Sequence, residues 1–479
     1  MLKSGGPVLT KALHDLFVKV WETGTVPRDW RTGVILPLYK GKGSESDCGN
    51  YRGITLLSVP GKAFAHILLN RIKPLLLLKR RPQQSGFTPG RSTVDRILAL
   101  NLASQTRREF QQPLYVTYVD LKAAFDSVYR PALWQLLKVL GVPEKVISLV
   151  SALYSDTTSR VRVDGQVSSA FPVSSGVRQG CVLAPDLFNT GMDWVLGRAV
   201  GRSMNGAVVG TSSLTDFDYA DDVALLAELI ALLQSALEIL FQEAAPIGLQ
   251  VNWAKTKIQS LSDFLPKPDP LVIDGQTVEA VDGFVYLGSL VDTSCRSSPE
   301  IRRRIGIARQ TFKDLERGVW RSKLTLTTKL RIYNVSVIAG LLYAGETWTM
   351  TAADYDRLDA FDSQCLRRIL GIRWQDFVTN AEVRRRTQQP LASITLKARR
   401  LSLFGHTARL APTTDTRVAL DGALVPPRGW KRPRGRPRKT WLSTIKDDLA
   451  PFSFGLFSAV QKAQDRQGWR SLTHRATLA

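Results

Sequence analysis

The residues in this sequence with the clearest chemical potential are acids. Asp120 closes a run of β-branched and aromatic residues, Tyr115-Val116-Thr117-Tyr118-Val119, and an adjacent pair, Asp221-Asp222, follows 101 residues later. The run from Leu114 to Leu121 predicts a buried strand, and Asp216 to Leu226 predicts a hairpin with Asp221 and Asp222 at its tip. Adjacent acids on a tight turn repel each other, which costs stability unless a hard cation neutralises them; Mg²⁺ with oxygen ligands and substrate phosphates answers that need. Two such ions would activate an attacking 3′-hydroxyl and stabilise a leaving pyrophosphate, the chemistry of polymerases and equally of many nucleases. Taken alone, an Asp-Asp pair also fits a solvated turn.

The elements that must position these acids are those of a globular chain. Its 479 residues are 44% hydrophobic and 8% aromatic, too apolar for a disordered basic tail, and its net charge is +23. That charge implies a polyanionic partner, with nucleic acid and an acidic membrane face as the two candidates. The charge is uneven: +12 over 1–200, −9 over 201–300 and +20 over 301–479, so an acidic block that includes Asp221 and Asp222 lies between basic flanks. The longest apolar stretch, Val223 to Leu240, is interrupted by Glu228, Gln234 and Glu238, and no membrane partner is expected. Cys48, Cys181, Cys295 and Cys365 form no close pair, which predicts a reducing, intracellular setting without a zinc knuckle or disulfide framework.

Periodicity predicts a helix over 7–24, a strand over 33–39 and a helix opened by Pro60. A loop follows at 83–91, then a helix over 131–140 cut by Gly141 and Pro143, and a hairpin turning at Asp164-Gly165. A helix over 228–244 precedes strand-like segments at 249–253, 271–273 and 284–287. Beyond Pro299 the pattern is helical and basic, and residues 411–440, rich in Pro, Gly and Arg, read as a linker.

Tyr219-Ala220-Asp221-Asp222 resembles the catalytic hairpin of reverse transcriptases, and the segments around it resemble that family's other blocks in the same order. Asn50-Tyr-Arg-Gly-Ile-Thr-Leu-Leu57 and Gln84-Ser-Gly-Phe-Thr-Pro-Gly-Arg-Ser-Thr93 are similar to the finger motifs, and Tyr118-Val-Asp-Leu-Lys-Ala-Ala-Phe-Asp126 to the first palm motif. Gly176-Val-Arg-Gln-Gly-Cys-Val-Leu-Ala-Pro-Asp-Leu-Phe-Asn189, Gly248-Leu-Gln-Val-Asn-Trp-Ala-Lys-Thr256 and Phe284-Val-Tyr-Leu-Gly288 resemble the later palm blocks and the primer grip. Together they resemble the non-LTR retrotransposon (LINE-type) branch. The resemblance implies an α+β, right-hand polymerase: fingers and a palm with an antiparallel sheet over 1–290, a helical basic thumb and connector over 291–410, the linker over 411–440 and a short helical segment over 441–479.

It also implies roles. Asp120, Asp221 and Asp222 are the expected metal ligands for two Mg²⁺ ions, with Mn²⁺ as a substitute. The partners implied are an RNA template, a DNA primer and dNTPs; the oligomeric state is left open. Phe125, five residues after Asp120, stands where the family closes the floor under the sugar, excluding a 2′-hydroxyl by volume. Gln179 and Tyr219 are expected beside the nucleotide, and Gly176 and Gly180 give a backbone that approaches the templating pair closely. Arg52 and Arg91 either clamp the triphosphate or are plain surface arginines. Lys255 is either the lysine that protonates the leaving pyrophosphate or a solvated loop residue. Asp126, Asp216 and Asp218 are read as structural acids. Phe284, Leu287 and Gly288 are the expected primer grip.

In the basic C-terminal part, Arg302, Arg303 and Arg304, like Arg384, Arg385 and Arg386, are expected to face phosphate without reading bases. His406 has no cysteine nearby and is expected in a core or cap role. Arg434-Gly435-Arg436-Pro437 is similar to the core of an AT-hook, with either minor-groove binding or nonspecific contact as its use. No endonuclease motif is visible on either side of these blocks, so target nicking is not expected from this chain, and DNA integration would place it in the nucleus. A non-catalytic nucleic-acid-binding remnant and a two-metal nuclease are the rival functions. The charge distribution predicts that truncation near residue 300 would keep the carboxylates and lose most of the attraction to nucleic acid.

Overall fold

The computed structural model describes residues 4–41 and 43–475. The first helix, Gly6–Thr23, stops at Gly24, whose φ of 70° supplies the left-handed cap that glycine adopts at no steric cost. Strands Thr32–Tyr39 and Tyr51–Leu57 pair antiparallel, and Thr158–Val163 joins the first of them in parallel from Thr32↔Thr158. The hairpin expected at Asp164-Gly165 forms, with both residues at positive φ, 48° and 82°. These strands make the sheet of the fingers.

The palm is built on helix α1 (Thr93–Glu109), strand β1 (Tyr115–Val119), helix α2 (Ala184–Ser203), strands β2 (Asp216–Tyr219) and β3 (Asp222–Ala227), helix α3 (Ile230–Ala244) and strand β4 (Lys257–Ser260). They form a six-stranded sheet in the order Leu271–Ile273, Gln276–Ala280, β4, β1, β3, β2. All its pairings are antiparallel except that of β4 with Gln276–Ala280, so the sheet is mixed at one seam. Along β3 the pleat sends Val223, Leu225 and Ala227 into the core shared with α2 and α3, and Ala224 and Leu226 into the core beneath α1. A strand buried on both faces must read as a continuous apolar run, and this one does. Residues 230–247 are also long and apolar enough to cross a membrane by length and composition. Here Leu233, Ala236, Leu237 and Leu240 of α3 are buried in the palm core.

After the palm come strands β5 (Gly283–Tyr286) and β6 (Ser289–Asp292), then helices α4 (Ser298–Asp314), α5 (Ala352–Leu370), α6 (Ala392–Ala408), α7 (Asp415–Leu424) and α8 (Trp441–Leu449). Helices α4 and α5 enclose a separate core around Trp348, Leu358 and Leu366. Helices α6 to α8 do something else: Leu401, Phe404, Leu420 and Trp441 share one core with Leu98, Leu102 and Val116 of the palm. Mixed α and β elements in fingers, a sheet-based palm and a helical thumb give the right-hand polymerase architecture.

Three expectations need correction. Residues 249–253 are not a strand; only Val251 bridges to Leu121. The linker over 411–440 contains α7, whose Ala419 and Leu420 are fully buried. The polar composition misled because α7 docks through charge: the buried Arg96 of α1 pairs with Asp415, and Thr416 donates to the Asp95 carbonyl at 3.1 Å. The division at 290 and 410 likewise fails as a packing boundary, because the palm's second core is completed by residues beyond 400. Truncation near residue 300 would therefore open that core rather than merely remove charge.

Asp415→Ala leaves the Arg96 guanidinium buried and uncompensated, and should lower unfolding free energy by about 3 kcal/mol. Urea denaturation of the full chain measures it; a loss below about 0.5 kcal/mol would contradict α7 as a structural clamp.

Candidate active site

The hairpin β2–β3 pairs Tyr219 with Asp222, so the turn residues are Ala220 and Asp221, and Asp222 is the first residue of β3 rather than part of the tip. Ala220 has φ 60°, a left-handed conformation that an alanine adopts at a cost of about 1 kcal/mol. The finger loop offsets that cost. The Gln84 side chain, 1% exposed, accepts from the Ala220 N–H and from the Gly86 N–H, both at 2.8 Å, and its amide donates to the Ala220 carbonyl at 3.4 Å. Gly86 lies so close that a Cβ there would sit 2.2 Å from the Ala220 nitrogen. Sequence reading placed Gln84 and Gly86 in a finger motif without seeing this contact, which joins residues 136 positions apart.

The hairpin is neutralised from behind. Arg81 donates to Asp216 at 2.6 Å and to Asp218 at 3.1 Å, both acids being fully buried. Burial and the neighbouring Asp216 push the Asp218 carboxyl well above the usual range, and burial pushes Asp193, beside the same arginine, up to about 7. The role of Asp216 and Asp218 is thus structural.

On the other side of the site, the Asp120 backbone is held by the segment after α3. Its carbonyl accepts from the Asn252 N–H at 2.8 Å, and its N–H donates to the Thr256 hydroxyl at 3.3 Å. Its Oδ2 is buried and has no hydrogen-bond partner; the Lys255 ammonium stands 3.6 Å away. The three carboxyls feel one another. Loss of water, then Asp221, then Asp120 push Asp222 up to about 6. Asp221 is raised chiefly by loss of water, with Asp120 adding to the rise and Arg52 opposing it. Among the described residues no three His, Cys, Asp or Glu side chains close into a finished metal centre. What they form is an open array of hard oxygen donors.

Phe125 stacks on Phe188 with centroids 4.3 Å apart and meets Phe87 edge-on at 6.4 Å, a fixed aromatic floor. Gln179 donates to both Asp126 carboxylate oxygens at 3.1 Å, so its amide is engaged by protein. The glycines flanking it also lie against protein backbone: a Cβ at Gly176 would lie 2.6 Å from Asp126, and one at Gly180 2.4 Å from the Thr55 carbonyl. Arg52 is exposed on its strand and acts electrostatically on Asp221. Arg91 is turned elsewhere; its charged neighbours are Arg96, Asp415 and Asp95. Tyr219 is half-buried opposite Asp222.

The expected primer grip is the β5–β6 hairpin, turning at Leu287 (φ 47°) and Gly288 (φ 79°). Phe284 stacks on Tyr118 at 4.2 Å, and the Tyr286 hydroxyl donates to the Phe217 carbonyl at 2.9 Å, which fixes the hairpin to the catalytic strand. Leu287 is buried, and Val285 is the exposed side chain on this hairpin. Arg303 and Arg304 do not face phosphate as expected. Both donate to the Gly288 carbonyl and pair with Glu300, leaving Arg302 exposed. Arg384 pairs with the buried Asp362 at 2.7 Å, and Arg385 and Arg386 share Glu382. His406 meets Asp95 at 3.2 Å, a role within the fold. The AT-hook-like segment is tethered on both sides, by Arg432 to Glu109 and by Arg438 to Asp263. Arg434 is exposed, while Arg436 lines a depression with Arg108 and Arg296.

Two outcomes follow from this geometry. Gln84→Ala leaves the Ala220 N–H without an acceptor and should destabilise the protein by about 1–3 kcal/mol, read as a lower Tm. For Asp222, a folded pKa near 6 against an ordinary 3.8 means the folded state holds that proton more tightly, so its contribution to stability falls as pH rises from about 4 to 6. Asp222→Asn should abolish that fall and stabilise the protein at pH 7 by about 1 kcal/mol, a figure discounted for the solvent around this exposed carboxyl. An unchanged Tm–pH profile would contradict the mutual repulsion.

Residues 40–291 match the family described as reverse transcriptase (RNA-dependent DNA polymerase). The chain is 26% identical over 376 residues to the RNA-directed DNA polymerase from the mobile element jockey of Drosophila melanogaster, covering 75% of this chain and 40% of that protein. It is 26% identical over 359 residues to the Pol polyprotein from the type-1 retrotransposable element R2 of Popillia japonica, covering 72% of this chain and 48% of that one. It thus spans less than half the length of these relatives. Among solved structures it is similar to apo telomerase from Candida tropicalis, at 12% identity and a TM-score of 0.43, covering 98% of this chain and 74% of the other. With the family match extending over more than half of its length, the chain belongs to the reverse transcriptases, in their non-LTR retrotransposon (LINE-type) branch.

Proposed function

We propose that this chain extends the 3′-hydroxyl of a DNA primer on an RNA template, using dNTPs and two divalent ions, Mg²⁺ or in its place Mn²⁺. The observation that carries the reading is the Asp120–Asp221–Asp222 array. One Asp120 oxygen is buried with the Lys255 ammonium 3.6 Å away and no hydrogen bond, and loss of water, then Asp221 and Asp120, push Asp222 up to about 6. Such oxygens fit a hard cation, which would satisfy the Asp120 oxygen directly and relieve the repulsion. Bound there, the ions would activate the primer hydroxyl and neutralise the charge of the leaving pyrophosphate.

The chain's own residues supply the rest. Arg52, within electrostatic reach of Asp221, would hold the triphosphate. Lys255, paired to Asp120, would give a proton to the leaving pyrophosphate. Phe125, locked by its stack on Phe188, would clash with a 2′-hydroxyl and so favours deoxynucleotides. Gln179 acts through Asp126, by orienting the loop beside Phe125. Arg91 takes no part in triphosphate binding in this reading. Action on DNA inside the cell, in the nucleus, belongs to the same proposal.

Primer extension on an RNA template tests it. The wild type should incorporate dNTPs and discriminate against rNTPs, and Phe125→Val should relax that discrimination. Asp221→Asn/Asp222→Asn should lose about a thousandfold in rate or more. Mg²⁺ should raise the Tm of the wild type at pH 7 and leave that of the double variant unmoved. Absence of extension by folded wild type would favour a non-catalytic binding protein, and cleavage without extension a nuclease.

A further inference from the structure

Outside the polymerase site, the thumb carries a second constellation suited to nucleic acid. Helix α4, the end of α5 and the turn after it enclose a groove of about 830 Å³. Arg309, on its wall, lies six residues along α4 from Arg303, so the groove begins about 9 Å beyond the primer-grip anchor. Phe312, Phe361 and Cys365 form its floor. Two aromatic rings stand at its lip almost wholly in water, Trp374 at 81% exposure and Phe377 at 87%. Phe377 also has φ 50°, a conformation unfavourable for a bulky residue and not compensated by any burial of its ring. The turn is nevertheless held firmly. The Arg373 N–H donates to Asp376 at 2.6 Å, and the Arg367 guanidinium donates to the Val378 carbonyl at 2.6 Å and to Asn380 at 2.9 Å.

The charge around these rings is one-sided. Five cations, Arg309, Lys313, Arg367, Arg368 and Arg373, line the groove against a single acid, Glu316, which is itself paired with Arg321 and Arg368. We propose that this groove binds an unpaired stretch of nucleic-acid strand, its bases stacking on Trp374 and Phe377 and its phosphates meeting Arg309, Lys313 and Arg373. Exposed rings beside cations offer π-faces that unstacked bases can use, whereas along a duplex the base faces are already stacked on one another. The choice of nucleic acid as partner rests on the polymerase reading above, while the site is separate from the carboxylates.

Fluorescence anisotropy of the full chain with a labelled single strand of about 12 nucleotides, RNA or DNA, and with a blunt duplex of the same length, tests the proposal. Trp374→Ala and Phe377→Ala should each weaken single-strand binding about tenfold and leave duplex affinity within about twofold. Arg309→Gln and Arg373→Gln should each reduce the salt slope for the single strand by about 0.7. Both rings are exposed, so the aromatic variants should keep the wild-type Tm. Photocrosslinking of the single strand should map to the 374–377 turn. Unchanged single-strand affinity in both aromatic variants, or an equal loss for the duplex, would overturn the proposal. The Asp221→Asn/Asp222→Asn protein should bind these probes as the wild type does, so failure of catalysis and failure of this site are read independently.

Discussion

The structure depends on holding a pair of exposed acids at the end of a strand that is itself acidic. Asp216 and Asp218 of β2 point to one side of the sheet, where the partly buried Arg81 takes both. On the other side, Arg96 sits over the Phe217 ring and donates to Ser85 and to the Pro82 carbonyl. β2 is therefore pinned between two arginines, Arg81 at the start of the finger loop and Arg96 on α1, and that loop carries Gln84 to the hairpin turn. Without that buried neutralisation, four acids within seven residues would oppose hairpin formation. With it, the charge of Asp216 and Asp218 is offset by a cation, while Asp221 and Asp222 are left facing solvent.

The same logic explains why α1 is a buried helix with polar residues around much of its surface. Arg96 and Asp415, Arg107 and Glu228, Arg108 and Asp263, and Gln105 with the Trp441 N–H each satisfy a group that burial would otherwise penalise. Each bond crosses to a different part of the chain, so α1 fixes the palm, the C-terminal helices and the acidic block relative to one another. The thumb is joined to the palm by an analogous device. Arg303 and Arg304 anchor the turn of the β5–β6 hairpin, and Tyr343 donates to its Leu287 carbonyl at 2.9 Å. Movement of α4 would be felt at Tyr286 and hence at β2, the strand that leads into Asp221.

These contacts also revise what the charge of +23 means. Many C-terminal arginines that count as attraction for a polyanion are consumed inside the fold, among them Arg304, Arg384 and the fully buried Arg400 paired with Asp448. The cations left facing solvent are concentrated at particular places, such as Arg302, Arg434 and the rim of the groove beside Trp374. Nucleic-acid affinity is set by that remaining geometry rather than by the total.

The sequence by itself determined whatever depends on neighbours a few residues apart. The strand ending at Asp120, the hairpin over Asp216 to Leu226 though not its exact tip, the turn at Asp164-Gly165 and the stop at Gly24 all follow from local pattern and positive-φ chemistry, and the order of motifs was enough to identify the family. Only the tertiary structure decided which side chains are free to act. That Gln84 holds Ala220, that Gln179 is engaged by Asp126, that Arg303 and Arg304 serve Gly288, and that 415–424 is a docked helix are all facts of burial and pairing across long separations. An arginine reads the same in a sequence whether its partner is a phosphate or a buried aspartate hundreds of residues away. The physical reason is that desolvation and ion pairing are set by what the fold brings near, and local pattern carries no record of it.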